Sequence, residues 1–373
     1  MKHTYRIHPE NYDVGRMERF YSRMAAKGWR LEKRGPYLSR FRRADPETLT
    51  CRIELSGVDG MPEEQIALYE DAGWQLAAHY QFINVFFAPS DSGAPEFYSD
   101  PAQQAATYTA IRKSYRNSFI GLFVYTLVYA LLIFLGGYGG SLVRFFGNLQ
   151  LAFFTCTMAM CAILMLLLSC WYGQLHAVLC LRAVCRRMKS GKPFDHDRSL
   201  FPPLRWIGYG LAAAVAVLAA LGVWEYISSR PYPMPQERDG PYLLLSDLGY
   251  DGERTYTVRE SNLSETAHGV TPLASWWDTQ EFVELDDGQT AAIYQLVLEV
   301  SSPEQAMDLV SALMETSTFR LEFSPVEMDG LDAAWANELD LVAVKGNRVY
   351  SITRILPDGE ARIILDAIAQ CQK

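Results

Sequence analysis

The chain has 373 residues, room for two or three folded units, and carries a formal net charge of -9 with a pI of about 5.3. That balance excludes a basic surface spread over the whole protein, and with it nucleic acid as an expected partner. A mean hydropathy near zero conceals a split, because long apolar runs in the middle of the chain are offset by polar flanks.

Residues 1–90 contain a short duplication. The first copy reads MERFYSRMAAKGWRL and then PYLSRFRR; the second reads EEQIALYEDAGWQL and then HYQFINVFFA. Each is an amphipathic helix ending in Gly-Trp-x-Leu, at Gly28, Trp29, Leu31 and at Gly73, Trp74, Leu76. A glycine just past a helix can take the left-handed conformation that ends it. The Trp and Leu beyond it alternate with polar residues and fall on one side of a starting strand. Helical spacing puts Met17, Phe20, Tyr21, Met24 and Ala25 on one face, and Ile66, Tyr69 and Ala72 on the matching face of the second helix. Further strands are predicted at 4–8 and 50–55. The order strand, helix, strands, helix, strands points to a small α+β sandwich of ferredoxin-like character. The two Trp could line a groove, but the expectation is that they anchor the core.

Residues 91–117 read as a Ser/Pro/Asp-rich linker followed by a lead-in helix. The window 118–138 (SFIGLFVYTLVYALLIFLGGY) then lacks any charge and is long enough to cross a bilayer, which takes roughly 20 apolar residues. This pair of helix–Gly-Trp-x-Leu units followed at once by an apolar span resembles the bacterial domain-of-unknown-function 2812 family, over about residues 3–140. The resemblance implies a membrane protein of a Gram-positive-type bacterium. It also implies a gene neighbourhood that often holds PadR-like transcriptional repressors, and so a cytoplasmic protein partner in such a pathway. It carries over no activity, cofactor or catalytic residue, and the C-terminal region lies beyond it.

Two more apolar windows follow, at 149–172 and at 206–227, the latter with Glu225 at its far edge. The chain therefore reads as a multi-pass membrane protein with the lipid bilayer as its first partner. Its opening residues are polar and charged, so the first span is expected to direct insertion. Lys and Arg set the orientation. Arg112, Lys113 and Arg116 precede the first span, Arg144 alone lies in the first loop, and the connection 173–205 is rich in Arg and Lys. The expectation is a cytoplasmic N-terminus and second connection, with the C-terminal domain outside the cell. The acidic excess of residues 228–373 is compatible with that side.

Within the connection, residues 174–189 continue as an amphipathic helix with a basic end, suited to the boundary where Lys and Arg meet anionic lipid. His176 and Cys180 share a face, but Cys185 is rotated away and no fourth ligand is evident, so no metal is expected. Asp195-His196-Asp197 reads as a solvated loop. In the third span Gly208, Ala212, Ala216 and Ala220 recur at every fourth place and form a candidate helix-packing face, either for a homodimer or for the chain's own spans. No span holds an ionisable residue deep in its apolar run, which argues against autonomous transport.

Residues 228–241 form a Pro-rich stalk. The region 242–373 reads as a second α+β domain, with strands at 242–245, 290–300, 319–323, 339–344 and 348–353. Its helices fall at 303–315 and 358–370. Lys345-Gly346-Asn347 is a hairpin turn, and Ser302 with Pro303 is a helix start. Trp276, Trp277 and Trp335 are its conspicuous aromatics, with a core role expected ahead of a ligand pocket. Neither Glu284, Asp286, Asp287 nor Asp247, Asp251, Glu253 has the alternating oxygen pattern of a calcium loop. Only Cys371 lies in this domain, so it has no internal disulfide.

The sequence contains no phosphate-binding glycine loop, nucleophile elbow, paired-His zinc helix or Cys-x-x-Cys pair. The expectation is a non-enzymatic signalling or regulatory protein that links an extracytoplasmic domain to a cytoplasmic interaction domain, with no catalytic, cofactor or metal residues. The alternatives are a structural or accessory subunit of a cell-envelope complex, and an extracytoplasmic enzyme whose site has no familiar motif.

Overall fold

A computed structural model describes residues 2–57, 60–132, 135, 142–196, 202–254, 263–286, 288–317, 321–357 and 361–370. The chain is mixed α+β and divides into two compact units, Met1–Leu127 with Leu167–Leu211, and Val128–Leu166 with Ala212–Lys373. Cys371 and the carboxylates Asp197 and Asp287 lie outside the described residues.

In the first unit β1 (His3–Ile7) leads into α1 (Val14–Ala26), β2 (Trp29–Arg34) and β3 (Leu38–Arg43). The second copy follows as β4 (Leu49–Leu55), α2 (Glu63–Asp71), β5 (Gln75–Tyr80) and β6 (Ile83–Pro89). The copies make two three-stranded antiparallel sheets of matching order, β1-β3-β2 and β4-β6-β5. In each, the last strand lies between the two that flank the helix. This is a split β-α-β unit made twice, not one continuous four-stranded sheet.

The repeat extends to detail. Gly28 and Gly73 have φ of +72° and +95°, the left-handed conformation that ends each helix. Both following strands carry a bulge at the equivalent place, Leu31/Lys33 and Leu76/Ala78. Asp13 caps α1 by accepting from the Arg16 amide. One face of the second sheet, through Cys51, Ile53, Leu55, Val85 and Phe87, packs with Met17, Tyr21 and Met24 of α1. The other face packs Phe86 and Ala88 on Tyr69 of α2 and on Trp74.

Among the described residues three helices are long and apolar enough to cross a membrane, by length and composition: Pro101–Leu132 (α3), Thr157–Lys189 (α5) and Trp206–Ser228. The last is the greater part of α6 (Pro202–Ser228). The apolar run 149–172 is not one straight span. Its first residues belong to α4 (Leu142–Thr155), and the chain bends at Cys156 before α5.

Near and distant side chains together account for the bend. Thr155 and Thr157 donate their hydroxyls back to the carbonyls of Leu151 and Phe153. Trp276 Nε1 and the Thr271 hydroxyl donate to the carbonyls of Thr155 and Phe154, and Glu225 accepts from the Met158 amide. Side chains that insert into the backbone ladder bend a helix.

The second unit is built on a nine-stranded sheet of order β12-β13-β14-β15-β11-β10-β9-β7, with β8 also on β10. Its strands are β7 (Tyr232–Pro233), β8 (Glu253–Arg254), β9 (Glu265–Val270), β10 (Ala274–Glu284), β11 (Thr290–Val300), β12 (Ser324–Pro325), β13 (Ala333–Ala336), β14 (Asp340–Lys345) and β15 (Arg348–Ile355). Helix α7 (Pro303–Thr316), capped by Ser302 with Pro303 in its first turn, covers one face through Leu309, Val310 and Leu313. Helix α8 (Ala361–Gln370) covers the other through Ile364, Leu365 and Ile368. Helix α4 lies along α7, where a Cβ on Gly147 would sit 3.2 Å from the Ala312 backbone.

Three expectations for this unit fail. The segment 242–245 is not a strand but leads into a 3-10 turn at Leu245–Leu248, because the Gln295 side chain takes both the amide and the carbonyl of Leu243. No strand spans 321–323, the described part of the one expected at 319–323. The Pro-rich stretch 228–241 is also not a free stalk: β7 pairs with β9, and Met234 is buried in the core.

Candidate functional site

The chemistry of the first unit concentrates where α5 and its following connection meet the N-terminal fold. Leu181, Cys185 and Met188 of α5 are buried in the same cluster as Met17, Tyr21 and Phe41. Ala105, Tyr108 and Ile111 of α3 complete it. The ends of two candidate spans are thus part of the N-terminal core, each supplying one apolar stripe at helical spacing.

Two polar contacts fasten the seam. Tyr12, in the turn before α1, places its hydroxyl 3.0 Å from His176 Nδ1, while the His176 ring stacks on Tyr172 and its Nε2 lies 3.5 Å from Cys180 Sγ. Burial pushes the Tyr12 phenol well above its ordinary value. At the second contact His196 donates from Nδ1 to Glu18 at 2.6 Å, and Arg19 donates to the His196 carbonyl. Glu18, buried on α1, uses its other oxygen to accept from the Ile53 amide at 2.9 Å. His196 Nε2 reaches to 3.8 Å from Glu96, whose carboxylate is gripped by the Arg52 guanidinium. That hydrogen bonding holds the Glu96 carboxyl below the usual carboxylate range. The reading of 195–197 as a solvated loop is therefore corrected for its described part: His196 is a partner of a buried acid, and Asp195 faces Arg187.

The segment expected to be a linker is docked as well. Pro95 accepts from Trp74 Nε1 at 2.9 Å, Phe97 stacks on Tyr69 with ring centroids 4.3 Å apart, and the Tyr98 hydroxyl donates to Glu54. Glu54 lies on the side of β4 opposite Ile53 and Leu55, where Tyr98 meets it, and burial raises its carboxyl to about 7 despite the Tyr98 hydrogen bond. Arg34 is also buried. It donates to the Tyr21 hydroxyl and to Asn11, and no carboxylate lies within ion-pair distance of it among the described residues.

The residues singled out from sequence fall in different places. Trp74 is a buried core anchor, with Leu76 packed at the margin of its cluster. Trp29 is half-buried with the Arg43 guanidinium 5.1 Å from its ring centroid, and Leu31 is in the core. Gly208 faces Tyr172, whereas Ala212, Ala216 and Ala220 are exposed. The closest backbone approach of these α6 glycines to α5 is at Gly222, where a Cβ would lie 3.0 Å from the Ala159 amide.

Trp276 and Trp277 point to opposite faces of β10 and form no common site. Trp335 lines an open cavity of about 680 Å³ with Met328, Asp329, Asp332, Arg362 and Asp366. Among the described residues, no group of three or more His, Cys, Asp or Glu side chains could hold a metal ion.

The seam matters because of where the relatives of this chain are similar to it. The model of a family described as "protein of unknown function (DUF2812)" matches residues 13–120. The match runs from the cap of α1 through the rest of the first split β-α-β unit, without β1, through the whole of the second and into α3, so it takes in Glu18, Arg52 and Glu96 but not His176 or His196. It confirms the resemblance read from the Gly-Trp-x-Leu units. No curated protein and no solved structure matches the chain.

Proposed function

We propose that the chain is a non-enzymatic regulatory membrane protein, with the N-terminal fold and the connection after α5 in the cytoplasm and the large sheet domain outside. The observation that carries this reading is the seam just described. The end of a candidate span supplies Leu181, Cys185 and Met188 to the N-terminal core, and His196 beyond it holds a buried acid of α1. A shift of α5 along or about its axis must then disturb the fold that a cytoplasmic partner would read. The excess of Arg and Lys around 112–116 and 182–205 supports the orientation. The open cavity beside Trp335 is the place where the outer domain would take a signal.

Orientation is tested by labelling Cys371, or a cysteine added after Lys373, with a membrane-impermeant maleimide in intact cells. Labelling only after lysis would put the tail inside and remove the main support of the reading. Regulation is tested by deleting the gene and comparing transcription and the envelope-stress response with wild type. Unchanged responses would overturn it. A second reading, an accessory subunit of an envelope complex, draws on the exposed Ala212, Ala216 and Ala220, to which another span could pack. A stable stoichiometric membrane partner on purification would favour it over the first.

A further inference from the structure

A cavity of about 430 Å³ opens between α3 and α5 in the first unit, lined by Arg112, Arg116, Arg182, Arg186 and Lys189, with Val178 and Cys185 as its apolar wall. The spacing explains the convergence. Arg112 and Arg116 are one turn apart on α3, and Arg182, Arg186 and Lys189 occupy successive turns of one face of α5. Among the described residues, none of these five cations has a carboxylate within ion-pair distance, and no acidic side chain lines the cavity. Five like charges gathered around one hollow repel one another unless an anion lies among them.

The place in the chain says which anion. Arg116 precedes the charge-free run by only two residues, so the cavity mouth sits about one to two helical turns from the apolar boundary. The head-group layer of a bilayer occupies that depth, roughly 5–7 Å beyond the hydrocarbon. Guanidinium groups grip phosphate oxygens in pairs, and a basic pocket between spans is a known form of head-group site. A volume of about 430 Å³ is ample for one head group.

We infer that the cavity between α3 and α5 binds the phosphate of an acidic phospholipid, with Arg112, Arg116, Arg182, Arg186 and Lys189 as its ligands. This rests on the membrane reading of the two helices and is independent of which side of the membrane they face. An occupied site would tie the two span ends together beside Cys185, which is part of the N-terminal core.

The test uses the full chain in detergent, titrated with phosphatidylglycerol or phosphatidylcholine and read by native mass spectrometry. The wild type should retain phosphatidylglycerol preferentially. Arg112→Gln/Arg182→Gln/Arg186→Gln should weaken that retention about tenfold or more. Lys2→Gln/Arg6→Gln/Lys33→Gln, which removes the same charge from exposed positions elsewhere in the unit, should not. The exposed single changes Arg116→Gln and Arg182→Gln stand in if the triple variant does not fold, each with a smaller loss in the same direction. Equal retention by wild type and pocket variants would overturn the inference. So would competition by millimolar inorganic phosphate that abolishes retention, which would mark a site for soluble phosphate compounds. Alkaline extraction of wild-type membranes separates the two failures. Release of the protein would sink the membrane reading and this inference with it, whereas firm retention without lipid preference would sink the inference alone.

Discussion

His196 and Glu18 lie 178 positions apart in the chain, and the imidazole donates from Nδ1 to the Glu18 carboxylate at 2.6 Å. Glu18 is only 3% exposed, so its oxygens have little access to water in place of that donor. Removing the ring in His196→Ala leaves a buried carboxylate oxygen without its partner, a cost of about 1–3 kcal/mol. The variant should melt lower and become sensitive to trypsin in the 190–205 connection. Unchanged melting and unchanged cleavage would mean that the contact does not hold the connection to the fold.

The two Trp of the duplication should differ in cost. Trp74 is 2% exposed, donates to the Pro95 carbonyl and touches Phe97, so Trp74→Ala should cost about 3–5 kcal/mol. Trp29 is half-buried and carries Arg43 over its ring, a contact worth about 0.5–1 kcal/mol. Trp29→Ala should therefore be clearly milder. Denaturant unfolding of the two variants of the full chain in detergent checks the order, and equal losses would refute the unequal roles.

Glu54 predicts a pH dependence. Its carboxyl is raised to about 7 in the folded chain against an ordinary value of 4.5, because burial disfavours the charged form. The folded state therefore keeps a proton that the unfolded state releases between those values. The stabilising contribution is complete below about 4.5 and is lost as pH rises through about 7, up to about 3 kcal/mol in all. Glu54→Gln keeps a neutral, hydrogen-bonding side chain and should flatten this part of the stability curve, making the variant the more stable protein at pH 8. A Glu54→Gln curve parallel to wild type between pH 5 and 8 would refute the buried, protonated state.

Much of the fold is legible because its signals are local. Gly28 and Gly73 end their helices by a backbone conformation that glycine favours, and Ser302-Pro303 starts α7 by filling cap positions. Other features depend on distant chain. β10 buries Thr279 and Glu281 within the polar run 278–281, so no clean apolar alternation announces it; Glu281 is buried because it accepts from the Leu245 amide and from Arg254. The bend at Cys156 needs Trp276 and Thr271 to take carbonyls from a helix more than a hundred residues earlier. The Glu18–His196 contact has no signature in the sequence, since a histidine between two aspartates reads as solvated until a buried acid is placed beside it. The basic cavity was visible only as two separate clusters of Arg and Lys, and packing of α3 on α5 makes them one.

The small residues of α6 separate two kinds of contact. Gly222 is buried against α5, and a Cβ there would come within 3.0 Å of the Ala159 amide and 3.1 Å of its Cα. Backbone cannot give way as a flexible side-chain end can, so Gly222→Val should force the helices apart, at about 1–3 kcal/mol. Ala216 is exposed and touches none of that packing, so Ala216→Val should leave the melting temperature unchanged. If two copies pair along Ala212, Ala216 and Ala220, close approach of the backbones is what the small side chains permit, and Ala216→Val should lower the dimer fraction. Cross-linking in membranes with size measurement in detergent reads both effects. A dimer fraction unmoved by Ala216→Val would show that any pairing uses another surface, and a stable Gly222→Val chain would show that the α5–α6 crossing is not as close as its geometry requires.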